Sequence, residues 1–121
     1  MFELSQTFYF EAAHTLQRAY ETESSRRIHG HTYGAEVVVS GELGADGMVV
    51  DLARLRAAIA EVRDTLDHHF LDDVPGLGAA TLEHLCLYLH RELSKRVAGI
   101  SAVSVYRSAS GDRCTYRPQP R

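Results

Sequence analysis

Three histidines are the residues of this sequence whose types and spacing suggest metal chemistry. His29 and His31 flank Gly30 at the start of a β-prone run. Strand side chains two residues apart lie on the same face, so both imidazoles are expected on one side. His14 ends an earlier, aromatic-rich run. Three neutral imidazoles can hold a tetrahedral zinc ion and leave its fourth position open for water or a substrate oxygen.

An HxH spacing is common, so the alternative is that these are core and surface histidines with ordinary hydrogen bonds. A second motif, Asp67-His68, places a carboxylate beside an imidazole, as in an acid–base pair. A histidine at the end of a helix is also favoured by the helix macrodipole, without any catalytic role. In a third motif, Thr81 and Glu83 begin a helix whose first N–H groups could hold a polar ligand, although capping alone explains them.

The elements that must position these residues follow from hydrophobic periodicity. Strand-like runs and amphipathic helices alternate along the chain in the order ββααββ. The strands are predicted at 2–14, 29–42, 102–106 and 113–117, and the helices follow Asp51 and Thr81. The polar segment 15–27 is predicted to be a long loop, which in a compact domain is usually functional or disordered. Hairpin connections favour an α+β fold, a four-stranded antiparallel sheet with both helices on one face. Its exposed edges favour self-association.

Composition narrows the class of protein. The chain has 121 residues, which predicts a single domain over 1–121. Its net charge of −3 gives no reason to expect a nucleic-acid partner. No signal peptide or membrane span is recognisable, and the two cysteines, Cys86 and Cys114, form no CxxC pattern. We therefore expect no membrane partner, no disulfide framework and a cytoplasmic location.

Together the motifs resemble those of the 6-pyruvoyl-tetrahydropterin synthase family, which includes the 6-carboxy-tetrahydropterin synthases, and they occur in the same order along the chain. The matching segments are Phe8–His14, Arg27–Tyr33, Val50–Leu52, Leu66–Leu71, Val74–Leu77, Thr81–Glu83 and Tyr116–Arg117. The resemblance implies the tunnelling fold, in which trimers close their sheets into a barrel and two trimers stack into a hexamer. It also implies active sites between the subunits of this homo-oligomer, and a small pterin-like substrate.

The resemblance assigns roles residue by residue. His14, His29 and His31 match the family's zinc ligands. Asp67 and His68 match the pair that assists proton transfer.

Glu83, near the helix cap Thr81, matches a position that lies close to the pterin ring in the family. The family's catalytic cysteine is replaced by Ser25, whose hydroxyl is a far weaker acid than a thiol. Near Arg107 the family carries a glutamate that grips the pterin ring nitrogens. An arginine there would instead prefer a carboxylate, phosphate or carbonyl.

Three functional hypotheses follow. The first is a zinc-dependent lyase of the pterin-synthase type acting on a dihydroneopterin triphosphate-like substrate. The second is a divergent homologue without the standard activity that binds or converts a different pterin-like heterocycle, motivated by Ser25 and Arg107. The third is a metal-storing or structural oligomer, which would leave Asp67-His68 without a role.

Overall fold

The structure is a computed structural model and describes residues 1–119. Over this range the chain forms five strands, three α-helices and one 3-10 turn at Leu71–Asp73. The strands are β1 (Phe2–His14), β2 (His29–Gly41), β3 (His69–Phe70), β4 (Ile100–Arg107) and β5 (Asp112–Tyr116). The helices are α1 (Thr22–Arg26), α2 (Leu52–Arg63) and α3 (Leu82–Ser94).

The strands form one sheet in the order β3-β1-β2-β4-β5. All four long strands pair antiparallel, which confirms the α+β class and the ββααββ order of the long elements. The sheet has one strand more than the predicted four. β3 pairs in parallel with β1 at Ala12 and Ala13. A two-residue strand is too short to show alternation, which is why its sequence suggested only the end of a helix.

Two local predictions are corrected. The segment 15–27 contains the helix α1, because Ser25 N–H donates to Glu21 O and closes one helical turn. Five residues are too few for an amphipathic pattern. The helix after Asp51 ends at Arg63 and does not continue into the Asp67-His68 motif. The chain turns there, and His68 adopts a left-handed φ of 58°.

The core lies between one face of the sheet and the two long helices. Asp51 caps α2 through a 2.9 Å hydrogen bond from Ala53 N–H, and Thr81 caps α3 through a 3.1 Å bond from His84 N–H. The inward face combines alternate residues of three strands with the apolar stripes of both helices: Phe8, Phe10, Tyr33, Ala35, Val37, Val39, Leu55, Ile59, Val62, Leu85, Leu89, Val103 and Val105. Truncating one such leucine to alanine typically costs about 2–5 kcal/mol.

The outward face of the sheet is more polar, although Val38, Ala102 and Tyr106 lie on it. The ring of Tyr106 covers Gly34 so closely that a Cβ there would lie 2.2 Å from it. Arg113 stacks over the same ring, at 4.8 Å from its centroid. Within residues 1–119, no helix is long and apolar enough to cross a membrane. The cytoplasmic location stays a prediction.

Candidate functional site: three imidazoles beside a cavity

The antiparallel register of β1 and β2 brings the three histidines together. His14 lies directly opposite His29, and His31 lies opposite Ala12, so all three side chains share the inward face. His14 Nε2 is 2.9 Å from His29 Nε2 and 3.1 Å from His31 Nε2. The three ligand atoms lie within 4.8 Å of one another. This cluster, His14, His29 and His31, is called the histidine triad below.

Backbone carbonyls fix the tautomers of two triad members. His14 Nδ1 lies 2.8 Å from Ala80 O, and His29 Nδ1 lies 2.7 Å from Arg27 O. A carbonyl only accepts, so each Nδ1 must carry the proton. In the neutral rings the two Nε2 atoms therefore point lone pairs at each other. Such carbonyl contacts to the second ring nitrogen are the usual support of a metal-binding histidine.

These donors fit a zinc ion. Zinc–nitrogen bonds of about 2.0–2.1 Å at tetrahedral angles place ligand nitrogens roughly 3.3–3.4 Å apart. The two distances from His14 Nε2 are only slightly shorter than that, and all three ligand atoms lie within 4.8 Å of one another. A cation between the converging lone pairs would also remove their mutual repulsion. The chemistry and spacing of the donors therefore support a metal site.

Burial keeps at least two triad members neutral. His14 is 1% exposed, and desolvation lowers its pKa below the usual value. Desolvation, with the nearby Arg107 charge next in size, lowers the pKa of His31 to about 4. A neutral imidazole is the form that binds a metal. Both rings are thus ready to act as ligands at neutral pH.

One member of the triad, His14, lines a cavity of about 570 Å³. His14, Tyr33, Thr81, Glu83 and Arg107 all line it. The side-chain oxygen of Thr81 accepts the His84 N–H. The first residues of α3 also line the cavity. All three predicted substrate-contacting residues are therefore gathered beside one predicted metal ligand, although their roles stay predictions.

Arg107 touches the triad itself. Its Nη1 lies 3.3 Å from His31 Nε2, and its Nη2 donates to Asp112 Oδ2 at 2.9 Å. Its Nε is buried and has no hydrogen-bond partner in the described part of the chain. Hydrogen bonds from Ser110 and, next, the charge of Arg107 lower the pKa of Asp112. Asp112 therefore stays ionised and holds the guanidinium in place.

Asp67 and His68 form a pair, but they do so away from the cavity. His68 Nδ1 lies 2.9 Å from Asp67 Oδ2, and Asp67 Oδ1 accepts the Glu11 N–H at 2.9 Å. The Glu11 N–H and then the His68 hydrogen bond lower the pKa of Asp67. His68 Nε2 lies 3.9 Å from Glu11 Oε2, and Glu11 is on the face opposite His14. Neither member of the pair lines the triad cavity.

Ser25 also lies apart from the cavity lining. It is buried in α1, and its backbone carbonyl accepts a 2.7 Å hydrogen bond from Leu16 N–H. Cys86 offers no substitute nucleophile, because burial raises the pKa of its thiol to about 12. Its Sγ donates to the Cys114 carbonyl at 3.4 Å. The structure thus gathers the predicted ligands but not the predicted proton-transfer groups.

Sequence reasoning missed several lining residues. Tyr33 could have been found, since it shares strand parity with His31. Arg18 and Asp72 could not, because the fold of segment 15–20 decides their position. Thr15 fixes that segment by donating its N–H to Asp72 Oδ1 at 2.9 Å and its hydroxyl to Asp72 Oδ2. The contact of Asp112 with Arg107 was not predicted either, because the register between β4 and β5 places the two residues opposite each other.

Comparisons with known proteins show the family of this chain. A family model described as 6-pyruvoyl tetrahydropterin synthase matches residues 3–119. The 6-carboxy-5,6,7,8-tetrahydropterin synthase of Synechocystis is 30% identical, over 98% of this chain and 96% of that protein. The dihydroneopterin monophosphate aldolase of Pyrococcus furiosus is 33% identical, over 74% of this chain and 73% of that protein.

A solved structure shows the same fold. The 6-pyruvoyl tetrahydropterin synthase of Caenorhabditis elegans superposes with a TM-score of 0.82 at 24% identity, covering 98% of this chain and 96% of that one. This confirms the tunnelling fold predicted from the motifs at the level of the single subunit, and the barrel and hexamer stay predictions. With a family model covering nearly the whole chain and a full-length relative at 30% identity, the chain belongs to the 6-pyruvoyl tetrahydropterin synthase family.

Proposed function

We propose that this protein is a zinc-dependent lyase of the pterin-synthase type, acting on the side chain of a dihydroneopterin triphosphate-like substrate. The observation that carries the proposal is the histidine triad, whose member His14 lines one cavity together with Thr81 and Glu83. Family membership supports an enzyme of pterin biosynthesis. The zinc ion and the choice of substrate are the proposed parts.

In this proposal the triad nitrogens hold zinc, which when bound would supply a Lewis acid for an oxygen of the substrate side chain. The carbonyls of Ala80 and Arg27 keep the rings of His14 and His29 oriented. Glu83, in the first turn of α3, accepts hydrogen bonds from the donor edge of the heterocycle. The cavity volume of about 570 Å³ lies in the range of small-molecule sites.

Proton transfer falls to Asp67 and His68. Asp67 accepts the proton on His68 Nδ1 and so leaves Nε2 free to take or give a proton. In one chain this pair lies with Glu11 on the sheet face opposite His14. A second copy of the chain must then supply the pair to the cavity. The proposed enzyme is therefore a homo-oligomer with active sites between subunits.

The sheet edges support such an assembly. β3 covers only Ala12 and Ala13, so most of β1 has no strand on that side among residues 1–119. β5 is the opposite edge and is also uncovered in the described structure. Two unpaired edges allow subunits to continue one sheet into a barrel. We propose the hexamer of two trimers, and sedimentation equilibrium that finds only monomer would contradict it.

The test is to incubate zinc-loaded protein with dihydroneopterin triphosphate and to follow released triphosphate and the pterin product by chromatography. Because a serine hydroxyl is a weak acid, we expect slow turnover by the natural sequence and faster turnover by Ser25→Cys. Ser24→Cys, at the exposed neighbouring position, is the matched control and should give no gain. Turnover unchanged by removal of zinc would contradict the proposal.

A second candidate is a divergent homologue that binds or converts a different pterin-like heterocycle. Arg107 favours it, because a guanidinium repels the guanidine-like edge of a pterin and attracts acceptor groups. The relative named as an aldolase adds a reason to test dihydroneopterin monophosphate in parallel. Thermal-shift screening should then rank carboxylated heterocycles and oxidised purines above neopterin. If neopterin or biopterin stabilises the protein best, this candidate fails.

A further inference from the structure

Arg107 has donor groups that its surroundings do not satisfy. The side chain is 23% exposed and fixed by Asp112, which accepts from Nη2 at 2.9 Å. The buried Nε has no acceptor in the described structure. The remaining contact, from Nη1 to His31 Nε2 at 3.3 Å, uses the lone pair that a metal ion would need. Metal binding would therefore take away the acceptor of Nη1 as well.

The charges near the triad are also unbalanced. A divalent ion on neutral imidazoles brings two positive charges beside the guanidinium. Asp112 is the carboxylate paired with Arg107, and it also accepts a hydrogen bond from Ser110 at 2.7 Å. Close unpaired charges of one sign in a partly buried site are unfavourable.

The other charged groups of the cavity have different partners or no ion pair. Asp72 is held by Thr15, and Arg18 is paired with Glu21 at 3.0 Å. Glu83 forms no ion pair with Arg107 in the described part of the chain. An anionic ligand oxygen between the ion and Arg107 would supply the missing acceptor and the missing negative charge.

We propose that Arg107 and the metal ion on the histidine triad form one oxyanion site, so that this protein takes ligands carrying a carboxylate or phosphate at the end that meets the ion. This deepens the proposed function and rests on its metal site. It makes Arg107 a specificity-determining residue. A guanidinium is suited to this task because it presents several donors in a fixed plane to carboxylate and phosphate oxygens.

The experiment uses the full chain loaded with Co²⁺, whose visible absorption reports ligands on the ion. Inorganic phosphate, pterin-6-carboxylate and the neutral 6-hydroxymethylpterin are titrated separately. We expect both anions to bind at least 10-fold more tightly than the neutral compound. The tighter of the two anions identifies a phosphorylated or a carboxylated natural ligand.

Linkage provides a measurement on the unaltered protein. Phosphate should raise the affinity for Co²⁺, measured by chelator competition, by the same factor by which Co²⁺ raises the affinity for phosphate. Equal phosphate affinity with and without the metal would overturn the proposal. Because no variant is needed, this result does not depend on any substitution being tolerated.

Variants then test Arg107 itself. Arg107→Gln should lower phosphate affinity at least 10-fold, and Arg107→Lys, which keeps the charge but has fewer donors, should lie between. Arg113→Gln is the matched control. Arg113 is in the same hairpin but pairs with Glu36 on the outward face, at 3.4 Å. It should leave phosphate affinity unchanged.

A purely structural role for Arg107 predicts the opposite pattern. Arg107→Gln would then weaken Co²⁺ binding, through a displaced His31, and leave phosphate affinity of the loaded protein intact. That result overturns the proposal. Failure of the proposed function looks different. The anion coupling would persist, while dihydroneopterin triphosphate is not turned over.

Discussion

The two groups of candidate functional residues differ in how completely one chain builds them. The histidine triad is buried or half-buried, two of its rings are oriented by carbonyls of the loops after α1 and before α3, and its nitrogens already converge. The Asp67-His68 pair lies on the opposite face, where the His68 side chain is 74% exposed and has its one close side-chain contact in the described residues, at 2.9 Å, with Asp67. The fold of one chain therefore fixes the positions of the triad side chains, whereas it leaves the His68 side chain exposed and weakly constrained.

This difference follows from where each region sits in the sheet. The triad lies on two long strands, and their register sets the face and the cross-strand neighbour of all three histidines. The pair lies in the turn between α2 and β3, where His68 has a positive φ and its N–H donates to Glu11 O at 2.6 Å. A side chain in such a turn can meet a ligand or a second subunit without disturbing the core.

The largest expected effect separates the two regions by metal affinity. His14→Ala removes one nitrogen donor, and we expect zinc affinity to fall by more than about 100-fold, beyond the loss typical of outer-shell changes. His68→Ala is the control and should keep the affinity, because it has no part in the triad. Chelator competition measures both. Equal zinc affinity in His14→Ala would remove the metal from the proposed function.

The pH dependence of stability should distinguish the regions next. The pKa of His31 is lowered to about 4, so the unfolded chain binds more protons below pH 6.5 and stability falls between about pH 6.5 and 4. The pKa of Asp67 is lowered too. Its contribution is present above its ordinary value near 3.8 and is lost as the pH falls through the lowered value.

Asp67→Asn should therefore cost roughly 1–2 kcal/mol at pH 7, through weaker hydrogen bonds to Glu11 N–H and His68. The cost should shrink only at the acid end, below about pH 4. His31→Gln should instead flatten the loss between pH 6.5 and 4 in metal-free protein. Urea unfolding from pH 7 to 3 measures both. A cost for Asp67→Asn that disappears already near pH 6 would contradict this assignment.

Much of the triad region could be predicted from the sequence. Strand alternation placed His29 and His31 on one face, and parity placed His14 on the face of the buried aromatics. These predictions depend only on local period, which long strands express clearly. The helix caps Asp51 and Thr81 were likewise visible, because each precedes a clear apolar stripe.

The pair region could not be predicted in the same way. The parallel pairing of β3 with β1 depends on tertiary contacts of Ala12 and Ala13 with the two residues of β3. The end of α2, just before this pairing, depends on the same contacts. The contact of Arg107 with His31 joins residues 76 positions apart. No local pattern encodes such a distance, and the short helix α1 around Ser25 was equally hidden.

A smaller effect is expected at Tyr33, which lines the triad cavity. Its hydroxyl is buried with no hydrogen-bond partner in the described residues, and burial raises its pKa to about 12. Tyr33→Phe should leave the free energy of unfolding unchanged or raise it by up to about 1 kcal/mol, since it removes an unsatisfied polar group.

Tyr88→Phe is the matched control for Tyr33. The Tyr88 hydroxyl pairs with Thr65 Oγ1 at 2.7 Å, so its removal should cost roughly 1 kcal/mol. Thermal unfolding of the ligand-free variants measures the difference. If Tyr33→Phe loses as much as Tyr88→Phe, the Tyr33 hydroxyl has a partner in solution, and the triad region is more completely satisfied than its contacts indicate.

The smallest effect concerns strain at His68. Its φ of 58° is a conformation that glycine adopts freely and a histidine does not. His68→Gly should raise the free energy of unfolding by roughly 0.5–1 kcal/mol, less what the lost Asp67 contact contributes, while abolishing the proposed proton transfer. His69→Gly, in β3, should lower it by a similar amount. His68→Asn should fall between, because asparagine tolerates the left-handed region.

A stability gain together with lost turnover would show that the exposed region keeps a strained histidine for its chemistry. A loss of stability in His68→Gly would show that this turn is as well built as the triad.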